Sequence, residues 1–116
     1  MADTQEKKLL LIDLDGVLNQ YDGKFDKTYI PPIKQGAHEF LMKLSENYEL
    51  KLFTTRNKLI ACKWLIMNKL DKYFSDITNI KEPCHLFIDD RCIKFDGNYN
   101  SIIKDIKNYN VWYKIN

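Results

Sequence analysis

Three short apolar runs, each closed by polar side chains, constrain this chain more than any other feature. Leu9-Leu10-Leu11-Ile12 is continuous rather than alternating, the pattern of a strand covered on both faces in a parallel sheet. Leu50 to Phe53 reads as a second strand, Leu86-Phe87-Ile88 as a clearly apolar fourth, and Phe74 to Ile80 holds a short third strand between them. The intervals read as helices. Ala37, Phe40, Leu41 and Leu44 recur at helical spacing within 34–47. Ile60, Ala61, Trp64, Leu65 and Met67 supply the apolar side of a helix over 58–70. A short helix is predicted over 100–108 and an edge strand over 111–113. Residues 16–33, rich in Gly, Pro, Asp and Tyr, read as a loop or small hairpin-like flap. Alternating strands and helices predict βαβ units with right-handed crossovers, and hence an α/β three-layer sandwich on a mostly parallel sheet.

The remaining bulk features narrow the class. A chain of 116 residues predicts a single domain over 1–116. Eighteen basic residues against 16 acidic ones give a net charge of +2, which offers no electrostatic reason to bind nucleic acid or membrane. Cys62, Cys84 and Cys92 lack paired metal-ligand spacing and lie in or beside apolar stretches, so they read as free thiols in a reducing compartment. The run from Leu9 to Ile12 is too short for a signal peptide or a membrane span. A cytoplasmic protein is expected.

Chemistry is concentrated where the strands end. The first runs into Asp13, Asp15 and Gly16, the second into Thr54, Thr55 and Arg56, and the last into Asp89, Asp90 and Arg91. Lys81 follows the third strand. In an open parallel sheet the carboxyl ends of the strands share one edge, and ligands bind there. Four carboxylates gathered at that edge repel one another. Mg²⁺ resolves the repulsion, because it takes oxygen ligands and keeps coordination positions for a substrate phosphate. A cation, an acidic nucleophile, a hydroxyl donor and a lysine are the parts that hold a phosphoryl group during transfer.

Leu11-Ile12-Asp13-Leu14-Asp15-Gly16-Val17-Leu18 resembles the first motif of the haloacid dehalogenase superfamily, an apolar strand followed by D-x-D-G. Leu52-Phe53-Thr54 is similar to the second motif, Lys81 to the third, and Phe87-Ile88-Asp89-Asp90 to the fourth. Together they cover nearly the whole chain in the family's order. The resemblance implies a Rossmann-like sheet and a Mg²⁺-dependent phosphatase working through an aspartyl-phosphate on Asp13. Asp13 would be nucleophile and metal ligand. Asp15 would serve as general acid and then base, its backbone carbonyl also reaching the metal. Thr54 would hydrogen-bond the phosphoryl group and Lys81 would neutralise it. Lys81 is preferred over Lys72 because it falls between the third and fourth strands. Asp89 would complete the metal shell, with Asp90 a ligand directly or through water. Gly16, Thr55 and Arg56 are the candidate substrate contacts.

Each of these positions also has a plainer role open to it. Thr55 reads as the cap of the following helix, Arg56 equally as a solvated helix-start arginine, and Arg91 as the partner of a neighbouring acid. His38, His85, Trp64 and Trp112 read as packing residues, whereas Tyr21, Phe25 and Tyr29 in the flap are placed to meet substrate. Neither the interval from Asp13 to Thr54 nor that from Thr54 to Lys81 has room for a cap domain, so the site should be open. Two other classes compete with an enzyme: a receiver-like phospho-accepting module and a silent phosphate-binding domain. Receivers place their acid pair early and their phosphorylated acid in mid-chain, the reverse of the order here. The substrate stays open among a nucleotide, a sugar phosphate, or a larger body such as a phosphorylated polynucleotide end. Oligomeric state is not legible.

Overall fold

The structure is a computed structural model and describes residues 6–113. Four parallel strands form one sheet in the order β3-β2-β1-β4: β1 (Lys8–Asp13), β2 (Tyr48–Phe53), β3 (Asp76–Thr78) and β4 (Leu86–Ile88). Helix α1 (Ala37–Ser45) connects β1 to β2, α2 (Lys58–Met67) and a 3-10 turn (Asp71–Tyr73) connect β2 to β3, and α3 (Tyr99–Lys107) follows β4. This is the α/β architecture expected, with no inserted cap among the described residues. No helix is long and apolar enough to cross a membrane, and the three cysteines are free thiols.

Register decides what the fold can present. Asp13 lies level with Phe53, Phe53 with Thr78, and Ile12 with Ile88. The residues just past these levels on the flanking strands are Thr54 and Asp89, so β1 carries Asp13 between them at a single edge. Chain progression also reverses beside β1, from β1-β2-β3 on one side to β4 on the other. Such a switch point opens a crevice at the carboxyl ends of the strands.

The core explains why these segments are strands. Leu10, Ile12, Leu50 and Leu52 point to one face and meet Leu41 of α1, Ala61, Trp64 and Leu65 of α2, and Leu14, Leu18 and Ile30 of the following loop. Each fully buried leucine contributes about 2 kcal/mol. Leu11, also fully buried, points to the opposite face beside Phe53 and Phe87, whose rings lie 4.9 Å apart. The segment 79–85 crosses on that side, tied down by Glu82 to Lys51 at 2.7 Å.

Helix limits differ from the sequence expectation for local reasons. α1 starts at Ala37 rather than at 34, because the Lys34 amide donates to Leu18 O at 2.8 Å and closes the flap instead. Gln20 N to Pro32 O and the Asn19–Ile33 bridge make that flap hairpin-like, as expected. α2 ends at Met67 because Lys69 turns to φ 59°. Leu70 N then reaches Leu65 O (2.8 Å) and Lys69 N reaches Ile66 O (3.0 Å), a Schellman closure sealed by the buried Leu65 and Leu70. Residues 111–113 form a turn, not the expected edge strand. Val111 is buried there and Trp112 Nε1 donates to Gly16 O at 2.7 Å, which draws the segment over the loop after β1.

Candidate active site

The turn after β1 is built around Asn19, a fully buried amide. Its Oδ1 accepts from Gly16 N and Tyr21 N, each at 3.1 Å, and its Nδ2 donates to Asp15 Oδ1 at 3.0 Å. Buried Leu14 anchors the same turn, its carbonyl accepting from Leu18 N at 3.0 Å. Gly16 sits at φ 85°, and a Cβ there would lie 2.0 Å from Asp90 Oδ2. The missing side chain is what lets the Asp90 carboxylate approach β1. The side chain nearest this expected substrate contact is therefore an acid of the site itself.

Asp13, Asp89 and Asp90 each offer a carboxylate oxygen within 4.8 Å of the others. Burial, then the charges of Asp89, Asp90 and Asp15, push the Asp13 carboxyl up to about 8. Burial and Asp89 likewise push Asp90 up to about 6. Oδ2 of Asp90 is buried with no hydrogen-bond partner among the described residues. Three hard oxygen donors, mutual repulsion and an orphaned carboxylate oxygen fit a divalent cation of the Mg²⁺ type.

Asp15 lies outside that trio. Arg56 grips its carboxylate with two bonds, Nε to Oδ2 at 2.8 Å and Nη2 to Oδ1 at 3.1 Å. The third guanidinium nitrogen, Nη1, donates to Asp26 O at 2.8 Å, and the Phe25 ring lies 4.6 Å from Cζ. Arg56 is 6% exposed. A solvated arginine at the helix start is thus corrected to a buried clamp joining Asp15 to the flap, because every guanidinium nitrogen has an internal acceptor. Asn57, not Thr55, caps α2, its Oδ1 accepting from Leu59 N and Ile60 N. Thr55 is exposed, next to buried Thr54.

Thr54 is buried, and its Oγ1 accepts from Arg56 N at 3.1 Å. With that lone pair engaged, its O–H is left to donate. Lys81 Nζ lies 5.7 Å from the Phe87 ring centroid, two residues before Asp89. Lys72 belongs to the 3-10 turn preceding β3, at the opposite edge of the sheet. Arg91 is exposed but close enough to Asp90 to oppose the rise in its pKa. The two histidines contact aromatic rings, His38 with Tyr73 and His85 with Tyr48. Trp64 Nε1 donates to Pro31 O, tying α2 to the flap. Tyr29 is exposed, and Tyr21 meets Tyr113 edge-on.

Three residues of the site escape sequence reasoning. Asn19 has a faint signal, an amide inside an apolar stretch just after a glycine turn. Tyr109, whose hydroxyl donates to Asp90 O, and Trp112 have none, because their partners are backbone carbonyls far away in sequence.

Comparison with known proteins gives two findings. The NLI interacting factor-like phosphatase family matches residues 8–112. A solved structure of a conserved protein from Bacteroides thetaiotaomicron is similar with a TM-score of 0.58 at 22% identity, covering 89% of this chain and 92% of that one. That likeness concerns the fold. No curated protein matches at a significant level.

Proposed function

The chain belongs to the NLI interacting factor-like phosphatase family, within the haloacid dehalogenase-like group, and we propose that it hydrolyses a phosphomonoester in two steps through a phosphorylated Asp13. The observation that carries this reading is the division of the acids. Asp13 stands with Asp89 and Asp90 at one point, while Asp15, two residues on, is held apart by Arg56 and Asn19. A cation in the trio would offset the burial and repulsion that hold the Asp13 carboxyl up at about 8, ionising it for attack, while Asp15 outside the trio handles protons.

A carboxylate oxygen of Asp13 attacks phosphorus, and the bond from phosphorus to the leaving oxygen breaks. Asp15, once one of its two bonds from Arg56 opens to let an oxygen carry a proton, gives that proton to the leaving oxygen. In the second step Asp15 takes a proton from water as the water attacks phosphorus. The bond between Asp13 and phosphorus breaks, inorganic phosphate leaves, and both acids are restored. Thr54 donates its hydroxyl proton to a phosphoryl oxygen, and Lys81, swinging from Phe87, adds positive charge there. Mg²⁺, held by Asp13, Asp89, Asp90 and the Asp15 carbonyl, would offset the repulsion in the cluster and the charge on the phosphoryl oxygens. Gly16 makes room for Asp90, exposed Thr55 contacts the substrate, and Arg56 acts on it through Asp15.

The substrate class is a nucleotide, a sugar phosphate or a larger phosphorylated body. The absence of an inserted cap among the described residues favours substrates that offer more surface than a small phosphate ester. Free thiols support a reducing, cytoplasmic setting. Hydrolysis of p-nitrophenyl phosphate with and without Mg²⁺ tests the reading. Many turnovers in Mg²⁺, with loss of activity in chelator and in Asp13→Asn, are expected. A wild type that stops at one phosphate per chain would instead support the receiver-like reading.

A further inference from the structure

We infer that the segment Tyr109–Tyr113, which follows α3, holds the acidic site in register, with Tyr109 and Trp112 as positioning residues for Asp90 and Gly16. The inference rests on the proposed metal-dependent reading of that site.

Asp90 and Gly16 belong to loops after different strands, β4 and β1. Their contact is closer than any side chain at position 16 would allow, so small backbone shifts of either loop would move the Asp90 carboxylate relative to Asp13. The Asp90 carboxylate does not itself fix that distance, since its Oδ2 has no hydrogen-bond partner among the described residues. Both loops are instead tied to one short segment. The Tyr109 hydroxyl donates to Asp90 O, and Trp112 Nε1 donates to Gly16 O at 2.7 Å. Gly16 O belongs to the Gly16–Val17 peptide, one residue beyond Asp15, so this bond also restrains the backbone next to Asp15.

The segment is itself held. Val111 is buried, Lys34 lies 4.3 Å above the Trp112 ring, and Tyr113 packs edge-on against both Trp112 and Tyr21. A rigid piece of chain bonded to two backbone carbonyls sets the spacing between them. That spacing matters because Mg²⁺ demands near-ideal octahedral geometry. Tyr113 provides an internal contrast. It belongs to the same aromatic cluster, but its Oη has no partner among the described residues.

Mg²⁺ binding to the full chain, measured by calorimetry, separates positioning from general packing. Tyr109→Phe and Trp112→Phe should each weaken Mg²⁺ binding about fivefold, the worth of one neutral hydrogen bond, while Tyr113→Phe leaves it unchanged. The Mg²⁺ concentration for half-maximal activity should rise by the same factor, with kcat at saturating Mg²⁺ within about twofold of wild type. All variants should still melt cooperatively; if Trp112→Phe does not, Tyr109→Phe, which removes a single hydroxyl, decides. Folded variants that bind Mg²⁺ as wild type does, or an equal loss in Tyr113→Phe, would overturn the positioning role and leave the site reading standing. A wild type that binds no Mg²⁺ would overturn both.

Discussion

Gly16→Ala strikes the closest contact in the site, and its cost has two parts. At φ 85° an alanine is strained by about 1 kcal/mol. Its Cβ would also stand 2.0 Å from Oδ2 and 2.6 Å from Cγ of Asp90, so the carboxylate must retreat by on the order of 1 Å to restore van der Waals contact. Such overpacking adds roughly 1 to 2 kcal/mol. The sum corresponds to a fall in Tm of about 10 °C for a domain of this size. Asp90→Ala removes the three atoms the new Cβ would meet, so in that background only the backbone strain should remain. Thermal melting in excess chelator of wild type, both single variants and the double variant measures the coupling, which should be about 1 to 2 kcal/mol. Strictly additive effects would refute the claim that Gly16 is required by Asp90 rather than by its own turn.

Arg56→Met should destabilise by about 3 kcal/mol, since it strands Asp15 without its bidentate partner, and Arg56→Lys should recover only part of this; urea denaturation checks both. The Asp13 carboxyl is held near 8 in the fold against 3.8 when unfolded, so the folded state binds the extra proton between those values. Without divalent cation, this contribution is therefore complete below about pH 4 and lost as pH rises through about 8. Asp13→Asn should remove much of that slope in denaturation profiles taken across this range, and added Mg²⁺ should flatten it. Thr54→Val keeps the shape but loses the hydroxyl donor, so kcat/KM for p-nitrophenyl phosphate should fall about a hundredfold.

The sheet was legible because its strands are short apolar runs that end in acids or threonine, with the most buried of them, β1, paired on both edges. Leu86–Ile88 appears as β4 within the same limits, and the strand ends that gather Asp13, Thr54 and Asp89 follow from the parallel register. Helix ends were less legible. The start of α1 depends on Lys34 closing the flap and on Gly36 at φ 90° before Ala37, and the end of α2 on Lys69 adopting a left-handed turn with no glycine to mark it. Arg56 read as solvated because its acceptors, Asp15 and the Asp26 carbonyl, are distant in sequence. Residues 111–113 read as a strand because Val111-Trp112-Tyr113 has strand-forming side chains. Burial of Val111 and the bond from Trp112 to Gly16 O override that preference.

The covalent role of Asp13 is tested most directly by trapping the intermediate. Wild-type protein is mixed with ³²P-labelled phosphomonoester and Mg²⁺, quenched in acid within a single turnover, digested and mapped. The expected result is a base-labile label on the peptide containing Asp13, absent in Asp13→Asn and accumulating further in Asp15→Asn, where release is slowed more than formation. Rapid phosphate release with no label on that peptide at any time, or full turnover by Asp13→Asn, would contradict nucleophilic attack by Asp13.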